Sequence, residues 1–147
     1  MSLSKNQIQI KNFGGVVYEE RTAAEAGIKP GMLCMVDTSE DAAKHNEEGG
    51  RAECLVAIED SLQGKTVDDA YTISTPVRLV RFRPGEEFFG LLNAHVNVAV
   101  GEKMCSYGNG LFRSASDSGS YQAYAVAVAL EASAAVVTDV LIRMRAL

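Results

Sequence analysis

At 147 residues the chain suits one domain, since a chain of about this size buries roughly 68–70% of its unfolded surface in a single core. A net charge of −5 argues against a general electrostatic grip on nucleic acid, which needs a clustered basic surface. Three cysteines without a C-x-x-C pair argue against a disulfide framework and a thiolate zinc site, and read as buried apolar thiols in a reducing compartment.

The first twenty residues lack the apolar core of a signal peptide. The stretch AYAVAVALEASAAVVTDVLI is interrupted by Glu131 and Asp139, a poor membrane span. The expectation is a soluble protein made in a cytoplasm, with no membrane partner.

Residues 1–15 read as an extended N-terminal arm, because Ile8 and Ile10 alternate with Gln7, Gln9 and Lys11 before Gly14 and Gly15 break the run. Such an arm has apolar anchors but no partner of its own; a disordered terminus is the alternative. Residues 16–147 then form a single β-rich domain. GVVYEE and Met32 to Val36 read as short strands around a Pro30-Gly31 turn, with a possible helical turn at Thr22 to Ala26. The stretch from Asp37 to Arg51 has almost no large apolar residue and reads as an exposed loop, in which SEDAAKH could form a brief helix.

Beyond it, AECLVAIED is a strand, SLQGKTVDDAY a polar connection, and PVRLVRF a strand closed by Pro84-Gly85. In EEFFGLLNAHVNVAV the alternation of Val96, Val98 and Val100 favours strand over helix. Near the end, Tyr124, Val126, Val128 and Leu130 alternate with alanines, and Val136, Thr138, Val140, Ile142 and Met144 repeat the pattern. Two paired strands are preferred there, with a helix over 123–135 as the alternative, given its alanine content. Many short strands between Gly and Pro turns predict a mainly β fold, a small β-barrel or β-sandwich.

Three motifs with chemical counterparts fall short of their requirements. Gly108-Asn-Gly110 lacks the following helix of a dinucleotide site, and Asn109-Gly110 instead suits a type I′ hairpin, where both central residues take positive φ. Gly64-Lys65-Thr66 matches the tail of a P-loop whose first glycine would be Glu59. Asp37 to Glu48 spaces oxygen ligands like a calcium loop but has Ala42 where glycine is needed.

The only histidines, His45 and His95, lie near no serine elbow. Glu86 and Glu87 read as charges after a turn, since adjacent strand residues point to opposite faces. No catalytic residue, cofactor or metal site is expected. Arg78, Arg81 and Arg83 are the one basic cluster, equally compatible with an interface and with a solvated strand face.

The second half of the chain resembles the small capsid decoration, or head cement, proteins of tailed bacteriophages. The resemblance covers roughly residues 75 to 145 and rests on VRLVRFRPGEEFFG, VNVAVGEKMCSYGNGLF and AVALEASAAVVTDVLIRM, with a weaker echo in AGIKPGMLCMV. It implies a β-tulip-like fold on the outside of an icosahedral head, bridging neighbouring major capsid proteins, commonly as a homotrimer and often with an N-terminal arm on the shell. Under that reading Ile8, Ile10 and Phe13 are the arm's capsid contacts, and the loop 37–51 has no counterpart. Two rivals stay open: another virion component of tail or baseplate, and a small oligomeric β-barrel enzyme such as a trimeric nucleotide hydrolase.

Overall fold

The glycine and Pro-Gly turns of the sequence fall between strands. A computed structural model describes residues 5–16, 18–116 and 119–147. Residues 1–4 of the expected arm, and Val17 in the first expected strand, lie outside the described residues. The strands are β1 (Gln9–Lys11), β2 (Tyr18–Thr22), β3 (Cys34–Val36), β4 (Ala42–Lys44), β5 (Leu55–Ala57), β6 (Pro76–Arg81), β7 (Glu87–Leu92), β8 (Lys103–Gly108), β9 (Leu111–Ser114), β10 (Ala127–Ala129) and β11 (Val140–Ala146). A 3-10 turn (Ser61–Gln63) and one short helix, α1 (Gly119–Ala123), complete the described elements, so the fold is mainly β.

The largest sheet runs β1-β7-β11-β10-β8-β9, and β9 also meets β7 in parallel where Phe112 faces Leu92, so the sheet curls into a barrel-like shape. A second sheet runs β2-β6-β5 and a third pairs β3 with β4. The period of two in β5 and β6 divides the interior between two clusters. Val56, Ile58, Val80 and Phe82 point into the curled sheet with Phe88, Met104, Phe112 and Met144. Leu55, Ala57, Val77 and Leu79 point the other way, onto Ile28, Met32, Cys34 and Leu91. A strand buried on both faces needs apolar residues at consecutive positions, which is why CLVAI is an unbroken apolar run.

The rings of Phe82 and Phe88 stack with centroids 4.7 Å apart, and Phe112 lies 6.0 Å from Phe88. Room for Phe112 comes from Gly90 on β7: a Cβ there would lie 2.7 Å from Met144 Sδ and 3.0 Å from Phe112 Cε2. The β8–β9 hairpin is the one expected, with φ of 54° at Asn109 and 78° at Gly110, the two left-handed residues of a two-residue turn.

Four expectations are corrected. Residues 37–51 are not a loop with a brief helix, since Ala42–Lys44 is a strand hydrogen-bonded to β3. The Asp37 carboxylate accepts the N–H groups of Ser39 at 2.8 Å and Asp41 at 2.9 Å, so this acidic residue shapes the hairpin turn. The helical turn at Thr22 to Ala26 is absent, because Ala23 bridges in parallel to Ala42.

The alternation at Val96, Val98 and Val100 does not make a strand. Only Val98 pairs, with Ser133. His95 takes φ 65°, and side chains compete for the backbone: Asp139 accepts the Ala94 N–H at 2.8 Å and Asn97 accepts that of Ala135 at 2.6 Å.

Finally, the two last strands pair as expected, but they are shorter, starting at Ala127 and Val140, and β10 faces the opposite way. Ala127 and Ala129 point inward and Val128 is half-buried, because Met104 and Met144, their cross-strand partners on β8 and β11, fill the interior on that face.

Candidate interaction surface

His45, Ser106 and the buried thiols are held within the fold, while His95 is exposed. His45 Nε2 lies 2.9 Å from the Arg51 carbonyl oxygen, which can only accept, so Nε2 carries a proton, and Nδ1 shares a hydrogen bond of 2.7 Å with the Ser106 hydroxyl. Ser106 Oγ in turn accepts the Gly108 N–H at 3.0 Å. The pair resembles a nucleophile and its base, but Ser106 is fully buried. It ties β8 to the segment after β4.

Burial pushes the thiols of Cys34 and Cys54 up to about 12 and that of Cys105 up to about 11, which disfavours thiolate chemistry. Gly64 ends the 3-10 turn in the left-handed region, and Thr66 donates its N–H to Asp69 at 2.7 Å, so the P-loop-like tail is a closed polar turn. Among the described residues, no group of three or more His, Cys, Asp or Glu is arranged to hold a metal ion. No described helix is long and apolar enough to cross a membrane.

The arginines do not form a patch. Arg78 stacks over the Tyr18 ring at 4.9 Å, and Arg81 pairs with Glu19 at 3.3 Å and with Glu53. Arg83 turns toward the N-terminal segment, donating to the carbonyls of Phe13 at 3.3 Å and Gly14 at 2.7 Å.

That segment has a partner within its own chain, contrary to the sequence reading. Ile8 is fully buried in the main core and Ile10 packs against it. The Ile8 N–H donates to Glu59 Oε2 at 3.0 Å, and its carbonyl accepts the Phe89 N–H at 2.8 Å. Phe13 is 54% exposed, with the Lys11 ammonium 5.5 Å from its ring centroid.

Glu86 joins the two candidate sets and was missed by sequence reasoning, where it read as a turn charge. Only 3% exposed, it accepts the N–H groups of Phe13 at 3.2 Å and Arg83 at 2.9 Å and the Arg83 Nε–H at 3.0 Å. Burial pushes its pKa up, but these donors and the Arg83 charge outweigh burial and hold the carboxyl below its ordinary range. Glu87, its neighbour, instead pairs across the strands with Arg143.

Two irregular segments, 93–101 and 131–139, lace together at the ends of β7 and β11. His95 N–H donates to the Val136 carbonyl at 2.8 Å, and Val98 and Ser133 exchange two bonds of 2.9 Å. Neither 93–101 nor 132–138 contains a Lys, Arg, Asp or Glu, in a chain that is 22% charged. The ribbon exposes Val137 (82%), Val100 (64%) and Val136, with alanines between them. Exposed apolar surface without charge is the composition of a docking face. A signal was present in the sequence as an absence of charge, but alternation disguised it as a buried strand.

A cleft of about 770 Å³ lies beside the N-terminal segment and brings Lys5, Lys29 and Lys65 near Glu59, Asp68 and Asp139. Its groups of both signs hold the segment down: Lys5 pairs with Glu131 at 3.2 Å, and Glu59 takes the Ile8 N–H. Compared with known proteins, the chain matches no family model and no curated sequence.

Proposed function

We propose that the chain is a non-enzymatic capsid decoration protein of a tailed bacteriophage, a homo-oligomer, in trimers, that binds the outside of the icosahedral head and bridges neighbouring major capsid proteins. The uncharged, exposed ribbon of 93–101 and 132–138 is the observation that carries this reading. The resemblance of VRLVRFRPGEEFFG and VNVAVGEKMCSYGNGLF to cement proteins agrees with it. Burying Val100, Val136 and Val137 against the shell supplies non-directional attraction of roughly 25 cal/mol per Å² of apolar surface.

Each contact is weak alone. In an oligomer the second and third contacts form at high effective concentration, so avidity exceeds single-site affinity by roughly 10²–10⁴. A shell bridged in this way resists internal pressure, because the bridges must break before capsomers part.

Co-sedimentation with expanded, undecorated heads tests the reading. Saturable binding at a fixed ratio to capsid protein is expected, weakened at least tenfold by Val137→Asp with the fold intact by circular dichroism. Binding to tails but not heads sends the assignment to a tail or baseplate component, and binding to neither overturns it.

A further inference from the structure

We propose that residues 5–13 are an exchangeable strand: in the oligomer, β1 of one copy docks on β7 of a second copy, with Ile8 in the second copy's core and Gly14-Gly15 as the joint. The inference is independent of what the oligomer binds.

Three observations converge on it. First, β1 is held on the outer edge of β7 by a pairing of Gln9 with Phe88 and Lys11 with Glu87, and by Ile8 in a closed apolar site. Second, residues 11–15, on the way from the docked strand to β2, are exposed, and Gly14 and Gly15 there take φ of 71° and 60°, with nothing within 4 Å of a Cβ at either. Consecutive left-handed residues fold the chain back there, and glycine opens to an extended path at no steric cost.

Third, departure of the strand would leave an apolar hole and an unpaired β7 backbone N–H at Phe89, beside the Glu59 and Glu86 carboxylates, each short of one N–H donor. The segment whose hydrogen bonds and side-chain shape match that site is another copy of residues 5–13. Exchange reproduces every docked contact, so only the joint and the entropy of association distinguish the two forms.

The register supplies the test. Facing residues of antiparallel strands lie about 4.5–5.5 Å apart at Cα, within disulfide reach. Lys11→Cys and Glu87→Cys are made in separate chains, mixed, co-refolded under reducing conditions and oxidised after folding. A disulfide-linked dimer is expected from the mixture, and at least fivefold less from Lys11→Cys mixed with Leu62→Cys, which offers an exposed thiol elsewhere.

A second variant guards against misfolding of the cysteine chains. Deleting Gly14 and Gly15 shortens the joint and hinders self-docking, so the shortened chain is expected to stay oligomeric, by light scattering, at dilutions at least tenfold below those at which the parent falls to monomers. The proposal is overturned if the mixture gives no more dimer than the Leu62→Cys control, or if the shortened chain is folded and falls to monomers at the same dilution as the parent.

Discussion

Ile8→Ala tests the docked N-terminal segment most directly. The side chain is fully buried in the cluster containing Phe88, Phe89 and Ile142. Truncation removes its burial free energy and leaves a cavity that β1 and β7 cannot fully close, at about 2–5 kcal/mol. For a domain of about 150 residues each kcal/mol shifts the melting temperature by about 2–4 °C, so a fall of about 4–20 °C is expected. Urea unfolding followed by circular dichroism gives the free energy, with an unchanged slope showing that the loss is one of stability. Phe13→Ala is the control, because that ring is 54% exposed, and a change near about 0.5 kcal/mol is expected. A loss below about 0.5 kcal/mol for Ile8→Ala would refute the reasoning, since it would mean that the segment is not part of the core.

Glu86→Gln has an effect whose sign depends on pH. The folded carboxyl titrates below its ordinary value of 4.5, so the folded state binds its proton less readily than the unfolded chain. Its contribution is complete above the unfolded value and is lost as pH falls through the folded value. The variant is expected to lose about 1–3 kcal/mol at pH 7 and to show a shallower acid slope below about pH 4.5 in thermal melts; identical acid profiles would overturn the assignment. Gly90→Val drives new carbons into Met144 and Phe112 and is expected to cost about 1–3 kcal/mol in urea, more if β7 shifts. A neutral result would show that the Phe112 site is looser than its packing indicates.

The strand-rich architecture was legible because turns and alternation are local. Asn109-Gly110 specifies its hairpin through the φ of two residues, and CLVAI marks a doubly buried strand. What misled was tertiary. Ala42–Lys44 has the composition of a loop but is captured by β3, with Ala42 fully buried. Alternation around Val128 correctly indicates a strand but not which face is inside, because that depends on the volume already taken by Met104 and Met144 across the sheet.

The same distinction governs the surface. Arg78, Arg81 and Arg83 look like a binding cluster as a run of charge, yet 78 and 81 project from opposite faces of β6, and all three find partners in Tyr18, Glu19 and Glu53, and Glu86. An arginine already paired has part of its charge neutralised and fewer of its N–H donors free for another molecule, so its presence in the sequence overstates what it offers. Exposed Val137 has no such exchange to make, since water is its alternative neighbour and leaving water is favourable. Docking through the ribbon should therefore be nearly insensitive to salt, whereas docking through the arginines would weaken as ionic strength rises. Head binding measured between low and high salt separates the two: a flat response supports the ribbon, and a steep decline would return the interface to β6.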